Sequence, residues 1–362
     1  MSTEDKKHCK KEQEKKQGQK APKNPVYRRG IRLALGVMLL LPAAGLLILL
    51  TMEKLGERSL LTPGQYDVAE GETADTEPPE IIWNGDVYEY RDNLVTLLCL
   101  GVDGRETAVE NTAIGFGPRA DSIYLVVLDL EQEKLTILSI SRDSMTSVHV
   151  FDSLGQDVGY YDMQLGIQYS NGDGLEQSCE LTAAAVSRLL DGIPINGYCA
   201  LYWRGIAYIH EVVTPVTAWV SEELQQMNPV IFPESGEVEL TAEQGLYYVR
   251  SRDIWEDGSN ETRSQRQREY IKALAAKGIQ EIRRDPRKIF TVLRGIEEYV
   301  VTDLDAGECL ALASWLKDWD LSDLDIRTLP GESRSTDFHD EYLVSPEEKK
   351  ELLIELFYEK RY

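Results

Sequence analysis

The sequence predicts an α/β fold, a sheet of buried strands covered by helices. Two stretches supply the strands. Leu94 to Asp103, LVTLLCLGVD, is a continuous apolar run ending in an acid, and Arg119 to Ser144, RADSIYLVVLDLEQEKLTILSISRDS, reads as two strands joined by a polar turn at Glu131 to Lys134. The third observation is an alternation of helical and strand patterns from Leu175 to Val220, as expected where helices are interleaved with sheet strands.

The 362-residue chain carries a formal charge of −23, unevenly spread. Residues 1–32 hold eight Lys and three Arg against four acids, a basic low-complexity tail with no pattern for a packed core. Leu33 to Met52 follows with no charged residue. At about 1.5 Å per residue it spans about 30 Å as a helix, the thickness of a bilayer core. A cleavable signal peptide is the rival reading, but the apolar run and its basic flank are both long, which favours an uncleaved transmembrane anchor with the tail in the cytoplasm. Residues 53–92, rich in Gly, Pro, Glu, Asp and Thr, read as an extracellular linker, and 93–362 as the folded domain. After residue 32 there are 28 basic against 58 acidic residues, a charge of −30. Such a surface excludes nucleic-acid binding by phosphate neutralisation.

The Leu94 to Asp103 strand delivers Asp103 at its C-terminal end, where open α/β sheets hold ligands, although a turn aspartate capping its own backbone fits equally well. In the hairpin, Ile123, Leu125 and Val127 face one way and Tyr124, Val126 and Leu128 the other, so both sides should be covered. With the turn centred near Gln132 and Glu133, Asp121 and Ser122 should lie opposite Asp143 and Ser144, with Arg119 and Arg142 beside them. The same cluster fits a solvated hairpin mouth held by surface ion pairs.

Leu175 to Leu190 is a packing helix, Tyr198 to Trp203 a strand, Ile206 to Val213 a helix and Val216 to Val220 a strand. Thr241 and Gln244 form a capping-box pattern opening a helix that ends in Arg250, Ser251 and Arg252. Arg263, Arg266, Gln267 and Arg268 lead into the next helix, with Arg263 and either Arg266 or Gln267 on one face. Basic residues at a helix N-terminus oppose its dipole, and an anion held among them would supply the reason. Pairing with neighbouring acids is the alternative. Arg287 to Val300, Ala306 to Trp315 and Pro346 to Tyr358 read as helices, and Asp325 to Gly331 as a closing strand and turn. Cys99 should pack as a small hydrophobe, and Cys179 with Cys199 is the pair to test for a disulfide.

No Walker phosphate loop, GxSxG elbow or HExxH pair occurs, and His149, His210 and His339 are scattered. What remains is arginines with aspartates at strand ends. Arginine's planar fork matches phosphate oxygens, and paired carboxylates suit magnesium. Pyrophosphate is the ligand that calls for both.

These residues resemble those of the LytR-CpsA-Psr proteins, membrane-anchored enzymes of the Gram-positive type of cell envelope that attach glycopolymers to peptidoglycan. LCLGVDGR from Leu98 resembles the family's first strand and acid, and RADS its Arg, small residue, Asp and hydroxyl run. SISRDS resembles its Ser-Ile-Pro-Arg-Asp motif, LTAEQGLYYVRSR its helix ending in two arginines, RSQRQR its Arg-x-x-Arg-Gln run and TLPGES its closing turn. Ser141 stands in place of the usual Pro, Thr214 and Pro215 in place of a Gly pair, and the stretch from Asp162 lacks a Lys-Ile-Asn start.

The resemblance implies a three-layer α/β/α domain with a central mixed sheet. It implies transfer of a polyprenyl-pyrophosphate-linked glycopolymer, such as teichoic acid or capsule, to peptidoglycan at the membrane surface. Asp103 and Asp121 would hold Mg2+, while Arg119, Arg142, Arg250, Arg252, Arg263 and Arg266, helped by Gln267, would surround the pyrophosphate. Asp121 is the choice for the base, with Arg142 as its catalytic partner, and the polyprenyl tail would lie in an apolar slot between sheet and helices. A polymer-binding scaffold and a polyprenyl pyrophosphatase are the alternatives. A transcriptional attenuator is disfavoured, since a 32-residue tail has no room for a helix-turn-helix.

Overall fold

The structure, a computed structural model, describes residues 50–64, 66, 80–104, 107–108, 114–251, 259–285, 287–320, 324–337 and 339–361. The folded unit spans Lys54–Tyr362. The expected cytoplasmic tail, and the expected anchor up to residue 49, lie outside the described residues. Among the described residues no helix is long and apolar enough to cross a membrane.

Residues 54–60 are helical, and Leu60 is wholly buried against Val95, Leu97 and Trp319. Next come β1 (Ile81–Trp83) and β2 (Asp86–Tyr90), paired about an Asn84-Gly85 turn in which both residues have positive φ. That turn suits the twist of a two-residue hairpin. Part of the stretch expected to be a linker is therefore built into the fold.

The core strands are β3 (Leu94–Asp103), β4 (Arg119–Asp129) and β5 (Lys134–Ile140), successive antiparallel neighbours. A hairpin of β6 (Met145–Phe151) and β7 (Asp157–Gln164) follows, then a 3-10 turn, Leu165–Asn171, and α1 (Glu176–Leu189). Strand β8 (Gly197–Tyr202) runs parallel to β3, and α2 (Trp203–Val213) leads away from it. The chain continues through β9 (Val216–Val220), α3 (Glu222–Met227), β10 (Gly236–Leu240), α4 (Ala242–Arg250), α5 (Ser259–Arg284) and α6 (Lys288–Ile296). It closes with β11 (Val300–Thr302), α7 (Ala306–Leu316), β12 (Asp325–Thr328), β13 (Gly331–Ser335), β14 (Asp340–Val344), α8 (Pro346–Phe357) and β15 (Tyr358–Lys360).

The central sheet has the order β11-β8-β3-β4-β5-β12 and is mixed, with β3/β8 and β5/β12 parallel. Its two faces follow the alternation in the sequence. Leu98, Leu100, Ile123 and Leu125 pack with Cys179 and Val186 of α1 and with Leu353 of α8. On the other face Val95 and Leu97 meet Ala311 of α7, and Tyr124 and Ile137 meet Ile271 and Ala275 of α5. Each fully buried Leu contributes about 2–3 kcal/mol, so covering both faces is what holds the sheet.

Strand β9 departs from expectation. It pairs with β10 as a separate two-stranded sheet, not with the central one. Its buried residues are only Val216 and Val220, with exposed ones between, the pattern of a one-sided hairpin. The Thr241–Gln244 capping box forms as the sequence indicates. Cys99, Cys179, Cys199 and Cys309 are all free, so no Cys179–Cys199 disulfide is present. Burial pushes the Cys99 thiol up to about 11.

His210 joins the smaller core under β10. Its Nδ1 lies 2.7 Å from Tyr270 Oη and its Nε2 2.8 Å from the Leu240 carbonyl oxygen. The carbonyl can only accept, so Nε2 carries the proton, Nδ1 accepts from Tyr270 and the ring is neutral. Burial, outweighing the carbonyl and Glu211, holds its pKa below the usual value. The unfolded chain then takes up the proton first as pH falls. The contribution to stability is present above pH about 6.5 and erodes below it, with a slope of at most about 1.4 kcal/mol per pH unit. Melting temperatures at pH 7.5 and 5.5 should show the loss, and His210→Gln should reduce the difference.

Candidate functional site at the sheet edge

The site is built where β3, β4 and β5 reach one edge. The β4–β5 pairing runs from Asp129↔Lys134 to Ile123↔Ile140, which sets each partner two residues away from the sequence expectation. The reason is the turn, which is centred earlier, with Glu133 at φ 51°. The correction matters to the charges. Continued past Ile140, the register sets Asp121 beside Arg142, not opposite Asp143 and Ser144. The Arg142 guanidinium donates to the Asp121 carboxylate, and its Nε lies 3.6 Å from Asp143 Oδ1. That Nε is buried and has no hydrogen-bond partner.

On the neighbouring strand a bulge at Gly101/Val102 brings Asp103 into register with Arg119. Asp103 Oδ1 accepts from Trp203 Nε1 at 2.9 Å, and the Arg250 guanidinium stacks on the same indole, 4.4 Å from the ring centre. Arg250 thus reaches the edge through Trp203, an aromatic whose role the sequence reading missed and which only its place at a strand end could have signalled.

Helix α5 supplies the rest. Gln267 is buried, accepts from Ser122 Oγ at 3.2 Å and donates to the Val249 carbonyl at 3.1 Å, tying α5 to β4 and α4. Arg263 is half-buried, and its charge acts on both Asp143 and Tyr124. Arg266 is directed elsewhere: it donates to the backbone carbonyls of Tyr248, at 3.2 Å, and Ser251 at the end of α4. Those carbonyls are the ones a helix end leaves unpaired. Arg252 lies outside the described residues.

The electrostatics follow from this crowding. Burial works to lower the Arg142 pKa, but Asp121, Asp143 and Asp103 raise it above its usual value, so its charge is secured. Asp143 is raised, by burial first, with Asp340 and Asp121 adding to it against Arg142 and Arg263. Burial lowers Arg266 against Tyr248 and Glu269.

Among the described residues there is no group of three or more His, Cys, Asp or Glu set to hold a metal ion. Magnesium is commonly held by one or two carboxylates together with water and phosphate oxygens. Asp103 and Asp121 fit that arrangement. Each hydrogen-bonds through Oδ1, to Trp203 and Arg142 respectively, which leaves Oδ2 for a cation.

Below the edge lies an apolar cavity of about 280 Å³. Leu100, Val102, Tyr124, Ile206, Tyr270 and Leu274 are in its walls, and Asp121, Ser122 and Gln267 border it. Helices α2 and α5 therefore roof a slot that opens at the charged cluster.

Gly166 holds the Arg142 turn in place. Its N–H donates to the Arg142 carbonyl at 2.8 Å, and a Cβ there would stand 2.7 Å from the Ala120 carbonyl oxygen and 3.1 Å from Arg142 Cβ. A Cβ there forces one of these neighbours to move, an overpacking strain of about 1–3 kcal/mol. Gly166→Ala should therefore lower the melting temperature, and an unchanged melt would show that the turn tolerates the shift.

The sequence profile of the LytR_cpsA_psr family matches residues 65–357. A search of curated proteins returns no match. Among solved structures, the Bacillus subtilis protein TagT is 17% identical with a TM-score of 0.53, the match covering 82% of this chain and 95% of that one. TagT bound to LI-WTA is 20% identical, TM-score 0.55, covering 81% and 99%. The protein gbs0355 from Streptococcus agalactiae is 19% identical, TM-score 0.56, covering 73% and 88%. At these identities the likeness is one of fold.

Proposed function

The chain belongs to the LytR_cpsA_psr family, and from that premise we propose that it transfers a polyprenyl-pyrophosphate-linked anionic glycopolymer onto peptidoglycan, at a membrane to which residues 33–52 anchor it. One observation carries this reading: Asp121, ion-paired to Arg142, lines the apolar cavity, so an apolar slot and a charged cluster meet at one edge. A ligand suited to both has a long apolar tail joined to a strongly anionic head. TagT, a protein of the same fold, has been solved with ligands of the wall teichoic acid class.

In this mechanism the tail fills the slot beneath α2 and α5. Arg142, Arg119 and Arg263 would face the pyrophosphate with Arg250 beside them, and Arg252 is a further candidate from the sequence motif alone. Arg266 contributes by holding the end of α4. Asp103 and Asp121 would hold a magnesium ion, which when bound supplies charge neutralisation at the pyrophosphate oxygens. Asp121 takes the proton from the acceptor hydroxyl. Arg142 orients the Asp121 carboxylate through their ion pair, and stabilises charge that develops on the phosphoryl oxygens.

Incubating the full-length chain in detergent with a polyprenyl-pyrophosphoryl saccharide, a peptidoglycan acceptor and magnesium tests the reading. Phosphodiester-linked product is expected. Donor bound but unreacted would make the protein a scaffold, and release of free saccharide phosphate would make it a pyrophosphatase. Arg142→Ala should lower turnover about 10²–10³-fold, the usual loss for one preorganised donor at developing charge, with a cooperative melt retained. Asp121→Asn should abolish magnesium binding by the donor-loaded chain measured by calorimetry, and a titration curve like that of the parent would remove Asp121 from the metal site.

A further inference from the structure

A second cavity, of about 190 Å³, flanks the Asp121–Arg142 ion pair. Its walls include Arg119, Arg142, Asp143, Gln164, His339 and Asp340. It shares no wall residue with the apolar slot. The two divide at the start of β4, where Arg119 and Ala120 line the polar cavity and Asp121 and Ser122 the apolar one. The pair thus spans the boundary, with Asp121 on the apolar side and Arg142 on the polar side.

The polar cavity is built with some care. Gln164 Nε2 donates to Asp143 Oδ1 at 2.9 Å and to the Asp340 carbonyl at 2.6 Å, and Tyr342 N–H donates to the Asp143 carbonyl at 2.8 Å. These bonds fasten the β13–β14 hairpin, which brings His339 and Asp340, to the turn that carries Arg142. The wall chemistry is mixed. Two carboxylates disfavour a simple anion and two guanidinium groups disfavour a simple cation. Amide, imidazole, carboxylate and guanidinium together offer both donors and acceptors, which is what hydroxyl groups require, since each both donates and accepts. A neutral polyhydroxylated ligand fits.

Direction supplies the rest. In phosphoryl transfer the attacking and leaving oxygens lie roughly in line across the phosphorus. With the lipid tail in the apolar slot, the leaving lipid phosphate departs toward that slot, and the attacking oxygen enters from the other side of the ion pair. We infer that the polar cavity is the acceptor subsite, holding the sugar whose hydroxyl attacks the glycan-bearing phosphorus, with Gln164 and His339 as its specificity-determining residues. The inference rests on the transferase reading. A bond forms between the acceptor oxygen and phosphorus, the bridging P–O bond breaks with its electron pair going to the lipid monophosphate, and the hydroxyl proton goes to the Asp121 carboxylate.

The test uses the full-length chain in detergent, a synthetic polyprenyl-pyrophosphoryl disaccharide as donor and an unmodified peptidoglycan tetrasaccharide as acceptor. Gln164→Ala and His339→Ala should each raise the acceptor KM at least about tenfold while moving the donor KM less than about twofold, and should weaken direct calorimetric binding of the tetrasaccharide alike. His339 sits on an exposed hairpin tip, so its variant reads the cavity even where Gln164→Ala loosens the hairpin. A raised donor KM with an unchanged acceptor KM would assign the cavity to the donor's own glycan and overturn the inference, as would no change in either. If the parent chain transfers but both variants bind the tetrasaccharide normally, the subsite fails and the transferase reading stands. If the parent binds the tetrasaccharide, the variants lose it and nothing is transferred, the saccharide site stands and the transferase reading fails.

Discussion

The ion pair between Asp121 and Arg142 is the constraint from which the rest of the site follows. Their side chains are only 12% and 27% exposed, so neither charge is fully solvated and each depends on the other. Removing one partner of a fully buried pair costs about 3–5 kcal/mol, and this pair, partly wet, should cost less. The pair exists because the β4–β5 register sets the two residues side by side. That register is held by the apolar faces of both strands: a one-residue slip would turn Leu125 and Leu138, each wholly buried, toward the wrong layer. The core therefore fixes the chemistry, and the turn that ends β5 is fixed again from the far side by the Gly166 contact.

Around the pair, other residues position rather than react. Trp203 joins Arg250 to Asp103, and Gln267 joins α5 and α4 to Ser122. Both links cross from helices onto the sheet edge, so the roof of the apolar slot and the charged cluster move as one unit. Arg266 belongs to the same scheme. It satisfies the Tyr248 and Ser251 carbonyl groups at the end of α4, and so fixes α5 against that helix end.

Much of this was legible in the sequence. Strand β3 runs from Leu94 to Asp103 as its apolar run indicated, α2 and α7 lie within a few residues of expectation, and the Thr241 capping box is present. These features are local, written in periodicity and caps. What could not be read depends on partners distant in sequence. The hairpin register turned on a turn one residue earlier than assumed. Strand β9 looked like a sheet strand until its partner, β10, was known. β1 and β2 carry a local hairpin signal at Asn84-Gly85 that the polar composition around it masked, and the third strand of their sheet, β15, is at the other end of the chain. Arg266 carries the motif of an anion ligand, and only the carbonyl groups of Tyr248 and Ser251 reveal its other role. Gln164 and His339 have no motif; they reach the site through the two hairpins β6–β7 and β13–β14.

The charge of the domain gives the cluster a further significance. Outside the basic tail the chain carries −30, so an anionic polymer meets repulsion over most of the surface. At the sheet edge the arginines gather. Arg119, Arg142, Arg250 and Arg263 meet Asp103, Asp121, Asp143 and Asp340 there, and burial first, then Asp340 and Asp121, raise the Asp143 pKa. The Arg142 pKa is raised as well, Asp121, Asp143 and Asp103 outweighing burial, which secures its charge. Four arginines among four aspartates make this edge far less acidic than the rest of the domain. On the reading proposed above, an anionic head would meet the least repulsion at this edge, with its apolar tail in the cavity that Asp121 and Ser122 border.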